Sequence, residues 1–330
     1  MANNQASLVP RTSNVLILTA GFGRFYLASK RLELSIKIHL PKTDVVAIDL
    51  QAFRSIMNEV GSAVSGYEGN VRGFNYWRWK PILINYFLDK GYKSILYLDA
   101  GCEVNPCILD SAIRWFRYET DFLMLLTRTG TSLKQYTKPG VLDFFKISPE
   151  LAKAEMLQFG IIFMKANDKV KQFFCTAAEY ALSSEHSYLF NDELEAVDMK
   201  RNHHYVAHRH DQSVLNLLMH KNFSKVDVGV VNSTLEPYQA ELAWLNPPIL
   251  AARNSKGISI YRLLQEHGLK SQIPKYKWVV VKLKNLLLRL SNGNTFLMRV
   301  TNGNFSNYSF SKKQNEFSSP VLSESPIEYK

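Results

Sequence analysis

The stretch GFNYWRWKPILINYFLDKGYKSILYLDAGCEVN, residues 73–105, decides the fold of this 330-residue chain. Within it, SILYLDA is an apolar run without polar alternation, which is typical of a strand covered on both faces of a parallel sheet. Residues 80–90, which precede it, carry apolar side chains at helical spacing. A helix leading into a buried strand, with Asp99 near the strand's end, indicates an α/β protein whose ligand site lies at that end.

Along the rest of the chain, apolar runs of strand length alternate with segments of helical period. The runs cover residues 14–20, 44–50, 94–100, 121–126, 160–165 and 225–231, and the helical segments cover 26–38, 51–60, 80–90, 108–116, 169–182 and 212–220. This alternation predicts a doubly wound, mainly parallel sheet with helices on both faces. Ligands bind such sheets at the carboxyl ends of the strands. That edge carries six candidate ligand-binding residues: Thr19, Ala20, Asp49, Asp99, Ala100 and Gly101.

Composition places the chain among globular proteins. Hydrophobic residues make up 46% and charged residues 21%, which excludes wholesale disorder, a collagen-like repeat and a coiled coil. We expect an α/β domain over residues 1–257, a basic amphipathic segment over 258–290, and a disordered tail over 291–330, where Asn, Ser, Gly and Lys dominate. Three cysteines and no visible export signal favour a reducing, cytoplasmic location.

The net charge of +11 is concentrated in one segment, because residues 251–290 contain nine basic residues and one acid. Such a segment predicts a docking surface for anions. From Lys275 to Leu290, KYKWVVVKLKNLLLRL has no acid and has apolar neighbours at helical spacing. It therefore predicts peripheral attachment to an anionic membrane on the cytoplasmic face, with an ordinary amphipathic helix packed on the domain as the alternative. No nucleic-acid-binding module is recognisable, so nucleic acid is not an expected partner.

Two further motifs are weak. AGFGRFY, residues 20–26, follows a strand and opens a helix, as in nicotinamide dinucleotide-binding folds. Tyr26 stands where a third glycine is needed for close helix packing, so a glycine-eased turn is the simpler interpretation. HHYVAHRH, residues 203–210, clusters four histidines without a cysteine or carboxylate at zinc-ligand spacing, which favours a polar loop near a site over a zinc site.

The order of lysine-bearing helix, apolar strand and LDAG turn resembles the GT-A glycosyltransferases, most nearly the retaining family of glycogenin and the bacterial lipopolysaccharide galactosyl- and glucosyltransferases. In that family a strand of the form viyLDaD ends in two carboxylates, which hold a divalent ion on the diphosphate of a sugar nucleotide. Asp99 matches the first aspartate, and Gly101 replaces the second. The resemblance therefore implies one of two arrangements. Either Asp99 binds Mn²⁺ or Mg²⁺ weakly with Glu103 or water, or Lys80 and Arg209 hold the diphosphate.

A second motif of the same family lies downstream. HRHDQSVLNLL, residues 208–218, resembles the DQdiLN block that opens a helix beneath the donor sugar. Asp211 and Gln212 take its catalytic positions, where polar groups stabilise positive charge at the anomeric carbon, and a helix-capping aspartate is the alternative. QFGIIFMKAN, residues 158–167, resembles the strand whose glycine, here Gly160, lets the backbone approach the sugar. Trp77 and Trp79, in the aromatic loop, are expected to stack on the donor, with core or lid residues as the alternative.

The resemblance covers residues 14–257 and implies a function. It implies an enzyme that transfers a sugar from a nucleotide-diphosphate donor to a glycan or glycolipid acceptor, of the cell-surface polysaccharide or lipopolysaccharide type, with retention. Two alternatives stay open. One is a non-catalytic protein that binds sugar nucleotides or membrane surfaces, and the other is a nicotinamide-dependent oxidoreductase resting on residues 20–26.

Overall fold

The computed structural model describes residues 12–62, 73–104, 120–126, 131–193, 204–223, 227–231 and 249–250. The strands in them are β1 (Val15–Ala20), β2 (Asp44–Ile48), β3 (Ser94–Leu98), β4 (Glu103–Val104), β5 (Phe122–Leu126), β6 (Leu157–Lys165), β7 (Val228–Val231) and β8 (Ile249–Leu250). Six of them form the central sheet in the order β2-β1-β3-β6-β5-β7, and β4 and β8 form a separate antiparallel pair. Every strand of the central sheet falls on a predicted apolar run.

The sheet is parallel except at β6. β1 runs parallel to β2 and β3, and β5 runs parallel to β7, whereas β6 is antiparallel to both β3 and β5. The predicted α/β class with a mainly parallel sheet is therefore confirmed, with β6 as the exception. The antiparallel direction matters for the site, because the pairing of Leu98 with Ile161 carries residues 157–160 past the end of β3. Those residues come to lie beside Asp99.

Helices lie in the described segments between the strands. They are α1 (Tyr26–His39), α2 (Leu50–Glu59), α3 (Trp79–Leu88), α4 (Leu133–Tyr136), α5 (Pro139–Phe144), α6 (Asp168–Leu182) and α7 (His210–Asn222), with short 3-10 turns at Gly23–Phe25, Leu151–Lys153 and Ser187–Leu189. Four of them (α1, α2, α3 and α6) and the later helix α7 fall on predicted helical segments, whereas the short helices α4 and α5 were not predicted. No helix in this part of the chain is both long and apolar enough to cross a bilayer. The predicted helix at 108–116, the basic segment at 258–290 and the tail at 291–330 lie outside the described residues.

Alternate side chains of β1 pack against helices on opposite faces of the sheet. Leu16 and Leu18 are buried in a large cluster with residues of α2, α3, α6 and α7. Ile17 points the other way, into a smaller cluster that includes Leu32 and Ile36 of α1. The strand residues are buried on both sides, as the continuous apolar runs predict.

The turn after β1 depends on Gly21. A Cβ at this position would lie 2.3 Å from the carbonyl oxygen of Phe25 and 2.6 Å from Ser29 Oγ, so glycine lets the start of α1 pack against the strand end. Gly23 has φ +53°, which favours glycine for a second reason. The glycines of AGFG thus form a tight turn, as the simpler interpretation of that motif predicts.

Candidate active site

Lys80 is the centre of a buried ion cluster at the carboxyl edge of the sheet. Its Nζ lies 2.8 Å from Asp211 Oδ2 and 3.2 Å from Asp99 Oδ1, and it donates a hydrogen bond of 3.0 Å to the carbonyl oxygen of Phe159. An ammonium has three N–H donors, so these three oxygens match its capacity. Only 4% of the Lys80 side chain is exposed. Lys80 therefore links Asp99 and Asp211, the two carboxylates that the sequence motifs select.

Burial and charge act together on this cluster. Burial lowers the pKa of Lys80, but the negative charges of Asp211 and Asp99 outweigh it and raise that pKa to about 12. Burial raises the pKa of Asp211 to about 6, because the opposing effect of Lys80 is incomplete and Asp99 adds like-charge repulsion. Two carboxylates therefore share one ammonium, and at neutral pH the cluster has a net negative charge.

Asp99 is the solvent-facing member of the cluster, with 41% of its side chain exposed. Its Oδ1 accepts a hydrogen bond of 2.8 Å from the hydroxyl of Tyr97, and its backbone N–H donates to the carbonyl oxygen of Gly160 at 2.8 Å. A Cβ on Gly160 would lie 2.7 Å from Asp99 Oδ2, so only glycine leaves the carboxylate in this position. Burial and the neighbouring Asp99 raise the pKa of Tyr97 well above its ordinary value, which keeps the hydroxyl a donor.

Arg31 of α1 holds the turn after Asp99 in place. The Arg31 guanidinium donates to the carbonyl oxygens of Ala100 at 3.2 Å and Cys102 at 2.8 Å, and lies 3.7 Å from Glu103 Oε1. Glu103 is only 2% exposed. The carboxylate predicted to complete a metal site is therefore turned towards Arg31 in the interior. Ala100 and Gly101 are also buried, so they shape the turn around Asp99.

The described residues do not by themselves fit a divalent ion. They contain no group of three or more His, Cys, Asp or Glu side chains able to hold one. Asp99 is exposed, but its Oδ1 already faces Lys80 and the Tyr97 hydroxyl. A hard cation such as Mn²⁺ or Mg²⁺ needs several oxygen ligands.

Asp211 and Gln212 lie in the first turn of α7, which is anchored to β6. Gln212 Nε2 donates to the carbonyl oxygen of Leu157 at 3.0 Å. One turn later, Asn216 accepts from the backbone N–H of Leu157 at 2.7 Å and donates to its carbonyl oxygen at 2.9 Å. These bonds set the position of Asp211 against Lys80. The predicted sugar contact of Gln212 remains a prediction, because its amide nitrogen is directed at the strand.

A left-handed turn leads into α3 and sets the direction of Lys80. The five residues from Gly73 to Trp77 all have φ between +53° and +64°. Such a conformation costs ~1–2 kcal/mol for each non-glycine residue. Trp79 Nε1 donates to the carbonyl oxygen of Gly73 at 3.1 Å, and a Cβ on Gly73 would lie 2.3 Å from the Trp77 ring. The packing of both indoles therefore holds the turn.

The remaining candidate residues make contacts of other kinds. The predicted stacking residue Trp77 lies on the ring of His210, with 5.5 Å between centroids and 28° between planes. Arg209 places its guanidinium 4.4 Å from the centre of the Tyr136 ring. Asp49 accepts a hydrogen bond of 2.9 Å from the backbone N–H of Ala52 and thus caps α2. Donor binding by these three residues stays a prediction.

Thr19 and Ala20 end β1 at the same edge of the sheet, and both are buried. The hydroxyl of Thr19 has no hydrogen-bond partner among the residues that the structure describes. A buried hydroxyl without a partner is unfavourable, and a ligand group at this edge would relieve that loss. The prediction that Thr19 contacts the donor is thus compatible with its position.

The histidine-rich loop precedes Asp211. His208 donates from Nε2 to the carbonyl oxygen of Leu189 at 2.8 Å and accepts from the backbone N–H of Lys138 at 3.3 Å. Burial and the nearby Lys138 charge lower the pKa of His208 to about 3, so it is neutral. His210 contacts the carbonyl oxygen of Phe190 at 2.7 Å through Nδ1. Within the described residues these histidines are structural supports next to the ion cluster, and His203 lies outside them.

Sequence reasoning selected four residues that the structure brings into contact, namely Lys80, Asp99, Asp211 and Gly160. It did not single out Tyr97, Arg31 or Asn216. Asn216 had a signal, because it lies four residues after Gln212 and therefore on the same face of the helix. Tyr97 and Arg31 had none, since a tyrosine in a buried strand and an arginine in an amphipathic helix are both common.

Comparison with known proteins finds likenesses in structure alone. No protein-family model matches the chain, and no curated protein matches it. It is similar to mouse xyloside xylosyltransferase 1 in its apo form, at 11% identity and a TM-score of 0.40, over 74% of this chain and 99% of the other. The galactosyltransferase LgtC, in complex with donor and acceptor sugar analogs, matches at 12% identity and a TM-score of 0.36, over 81% and 99%.

A third structure, a glycosyltransferase involved in the glycosylation of the major capsid of PBCV-1, matches at 10% identity and a TM-score of 0.31, over 52% of this chain and 68% of the other. All three are named as transferases of sugars. These likenesses assign no activity to this chain.

Proposed function

We propose that the protein is a GT-A glycosyltransferase that moves a sugar from a nucleotide-diphosphate donor to a glycan or glycolipid acceptor. The observation that supports this best is the contact of Asp99 and Asp211 with one buried ammonium, that of Lys80, at the carboxyl edge of the sheet. These are the residues that the two glycosyltransferase motifs select, although the motifs lie far apart in the sequence. Retention of configuration is proposed from the motif resemblance.

The cluster's chemistry suits the departure of a sugar from a diphosphate. As the bond between the anomeric carbon and the leaving oxygen breaks, positive charge develops on the sugar. Asp211 is ionised at neutral pH and buried, so its negative charge acts in a medium that screens it weakly. Lys80 keeps Asp211 in place and Asp99 next to it. Of the two carboxylates Asp99 is the one exposed to an incoming donor.

Metal dependence is proposed to be weaker than in the family that the motifs resemble. Glu103 pairs with Arg31, and Asp99 lies next to a fixed ammonium. A divalent ion bound there would draw on Asp99 and would neutralise the diphosphate, as such ions do at phosphoryl oxygens.

The oxidoreductase alternative has less support. Dinucleotide-binding sheets are mostly parallel, with the classic strand order 3-2-1-4-5-6. Here β6 lies antiparallel in the middle of the sheet. The close packing of Gly21 against the start of α1 explains the glycine at this position without a bound dinucleotide.

We also propose that the protein is cytoplasmic and attaches to the membrane through Lys275 to Leu290. The positive charge of that segment supports this proposal. An acceptor on a lipid would then be available at the membrane surface. The segment's bases can be replaced with glutamine in the full chain, and loss of sedimentation with phosphatidylglycerol vesicles is the expected result.

The test of the transferase uses the full chain and a panel of sugar nucleotides. Thermal shift identifies the donor, and release of nucleoside diphosphate measures its turnover. We expect Asp99→Ala to abolish turnover without changing the melting temperature. Asp89→Ala is the matched control, because Asp89 follows the far end of α3 with 66% of its side chain exposed. Full turnover by the Asp99 variant, or no donor in the panel, would contradict the proposal.

A further inference from the structure

Helix α1 presents an apolar ridge to solvent. Leu27, Leu34 and Ile38 are 61%, 61% and 65% exposed. At 100° per residue their spacing places all three within about 40° of each other on one side of the helix. Among the described residues, seven large apolar side chains are exposed, and four of these, including Tyr26, belong to α1. Single exposed apolar residues are ordinary, but an aligned row marks an interaction surface. We call these three residues the α1 ridge.

Basic residues flank the ridge on one side. Lys30 and Lys37 lie beside it, and both pair with Glu33, at 3.2 Å and 2.7 Å. Arg24, in the turn before the helix, is exposed as well. Three cations against one anion leave this face positive. Lysine side chains lie with their stems along apolar surface and their charges outward, which is the arrangement of helices that rest in a lipid interface.

We propose that the α1 ridge docks on an anionic lipid surface, with the helix axis parallel to the membrane plane. Leu27 to Ile38 spans about 16 Å along the axis, at 1.5 Å per residue. The three apolar side chains would enter the headgroup region while Lys30 and Lys37 contact anionic headgroups. The inference deepens the membrane attachment proposed above by adding a surface within the folded domain. It rests on α1 alone, not on the chemistry of the ion cluster.

Charge favours this occupant over the chain's own C-terminal segment. The last described residues are Ile249–Leu250, and Ile249 packs in the same cluster as Leu32 and Ile36 of α1. However, residues 275–290 carry five bases and no acid. Placed on α1, they would set like charges against Lys30 and Lys37. An anionic bilayer is complementary to both surfaces.

Docking through α1 also brings the candidate active site to the membrane. α1 follows β1 after one short turn, and hence begins at the carboxyl edge of the sheet where Asp99 lies. The Leu27 end of the ridge is therefore the end nearest that edge. A lipid-linked acceptor would approach from the same side.

The test is co-sedimentation of the full chain with vesicles of phosphatidylglycerol and phosphatidylcholine, and with phosphatidylcholine alone. We expect the double variant Leu34→Gln with Ile38→Gln to bind the anionic vesicles at least about tenfold more weakly, since two large side chains lose their apolar burial. Val206→Gln is the matched control, because Val206 is 61% exposed and lies outside α1. It should bind like the unchanged protein.

Charge variants test the lipid more directly. Lys30→Gln with Lys37→Gln should weaken binding to anionic vesicles by about twenty-fivefold and leave binding to phosphatidylcholine unchanged, since each lysine near an anionic leaflet contributes about fivefold and the two factors multiply. Glu33→Gln should strengthen binding, because it frees both lysines from their partner. Binding that is unaffected by all of these changes overturns the proposal.

Two other occupants predict different results for the double variant. If residues 275–290 cover the ridge, its melting temperature falls and its vesicle binding does not. If a second copy of the chain covers the ridge, the mass by sedimentation equilibrium falls to that of one chain, again without a loss of vesicle binding. Either outcome overturns lipid docking. Vesicle binding is read without any donor, so failure of the transferase proposal leaves this test intact.

Discussion

Replacement of Asp211 with asparagine should stabilise the protein and impair its turnover. Asp211 is 4% exposed, and its Oδ2 lies 2.8 Å from Lys80 Nζ. Burial raises the pKa of this carboxyl to about 6. Asparagine has nearly the same shape and no charge, so the variant resembles the protonated native protein.

The sign and the size follow from the two pKa values. The native carboxyl titrates at about 6 and the unfolded one at 3.8, so between these values the native state binds more protons than the unfolded state. The free energy of unfolding therefore falls as the pH rises through this window. A gap of about 2.2 between the pKa values corresponds to ~3 kcal/mol. Asp211→Asn should match the unchanged protein near pH 4 and exceed its stability by up to ~3 kcal/mol above pH 7.

Urea unfolding followed by tryptophan fluorescence at a series of pH values measures this difference. Asp44→Asn is the matched control with the opposite sign. Burial raises the pKa of Asp44, but hydrogen bonds from Thr12 and Ser13 outweigh it and lower that pKa. Asp44 therefore adds stability above its unfolded pKa that is lost as the pH falls. A variant of Asp211 that is less stable than the unchanged protein above pH 7 would refute the reasoning.

Turnover measurements test the catalytic role of Asp211. In Asp211→Asn, kcat should fall far more than donor affinity, because the charge acts on the sugar in the transition state. If removal of the Asp211 charge raises stability and lowers turnover, the charge is retained for function. If Asp211 were only a helix-capping residue, its replacement would lower stability. An unchanged kcat would leave Asp211 with a structural role.

Three further predictions concern Asp99 and its surroundings. Tyr97→Phe should lower kcat/KM for the donor by about tenfold, because Asp99 loses a hydrogen bond to a charged group, and the melting temperature is the check that the fold is kept. Gly160→Ala should lower kcat/KM by about a hundredfold, because the new Cβ displaces the Asp99 carboxylate. Activity equal to that of the unchanged protein would show that the close approach of Gly160 to Asp99 is unimportant. EDTA should lower turnover by less than about tenfold, since the described donors do not fit a divalent ion, and a complete loss restored by micromolar Mn²⁺ would contradict this.

The fold could be predicted closely because its signals are local. Continuous apolar runs mark strands covered on both faces, and helical spacing marks the segments between them. The direction of β6 could not be predicted, since an apolar run such as GIIFMK reads the same for either direction. Its pairing with β3 and β5 is decided by tertiary contacts.

The candidate site could be predicted in its members but not in all of their roles. Motif spacing selected Asp99, Asp211 and Lys80, which the structure brings together. Contact of Lys80 with the diphosphate was one of two expected arrangements and stays a prediction; the structure shows Lys80 buried against three protein oxygens. This arrangement depends on tertiary contacts of Lys80 with Phe159 of β6 and Asp211 of α7, which no local pattern encodes. The same reasoning applies to Glu103, whose partner Arg31 is 72 residues away in the sequence.

The strained backbone explains why the site's geometry was hidden from sequence reasoning. Phe74, Asn75, Tyr76 and Trp77 adopt a left-handed conformation that side chains disfavour, so no propensity predicts it. His210 also has φ +50°, and its ring stacks on Trp77. One strained segment leads into α3 before Lys80, and the other precedes Asp211, so the two meet beside the ion pair that they position. Strain of ~1–2 kcal/mol per residue persists only where surrounding contacts enforce it, and such positions cluster at functional sites. The backbone therefore supports, independently of the charges, the view that Lys80 and Asp211 are held in place for chemistry.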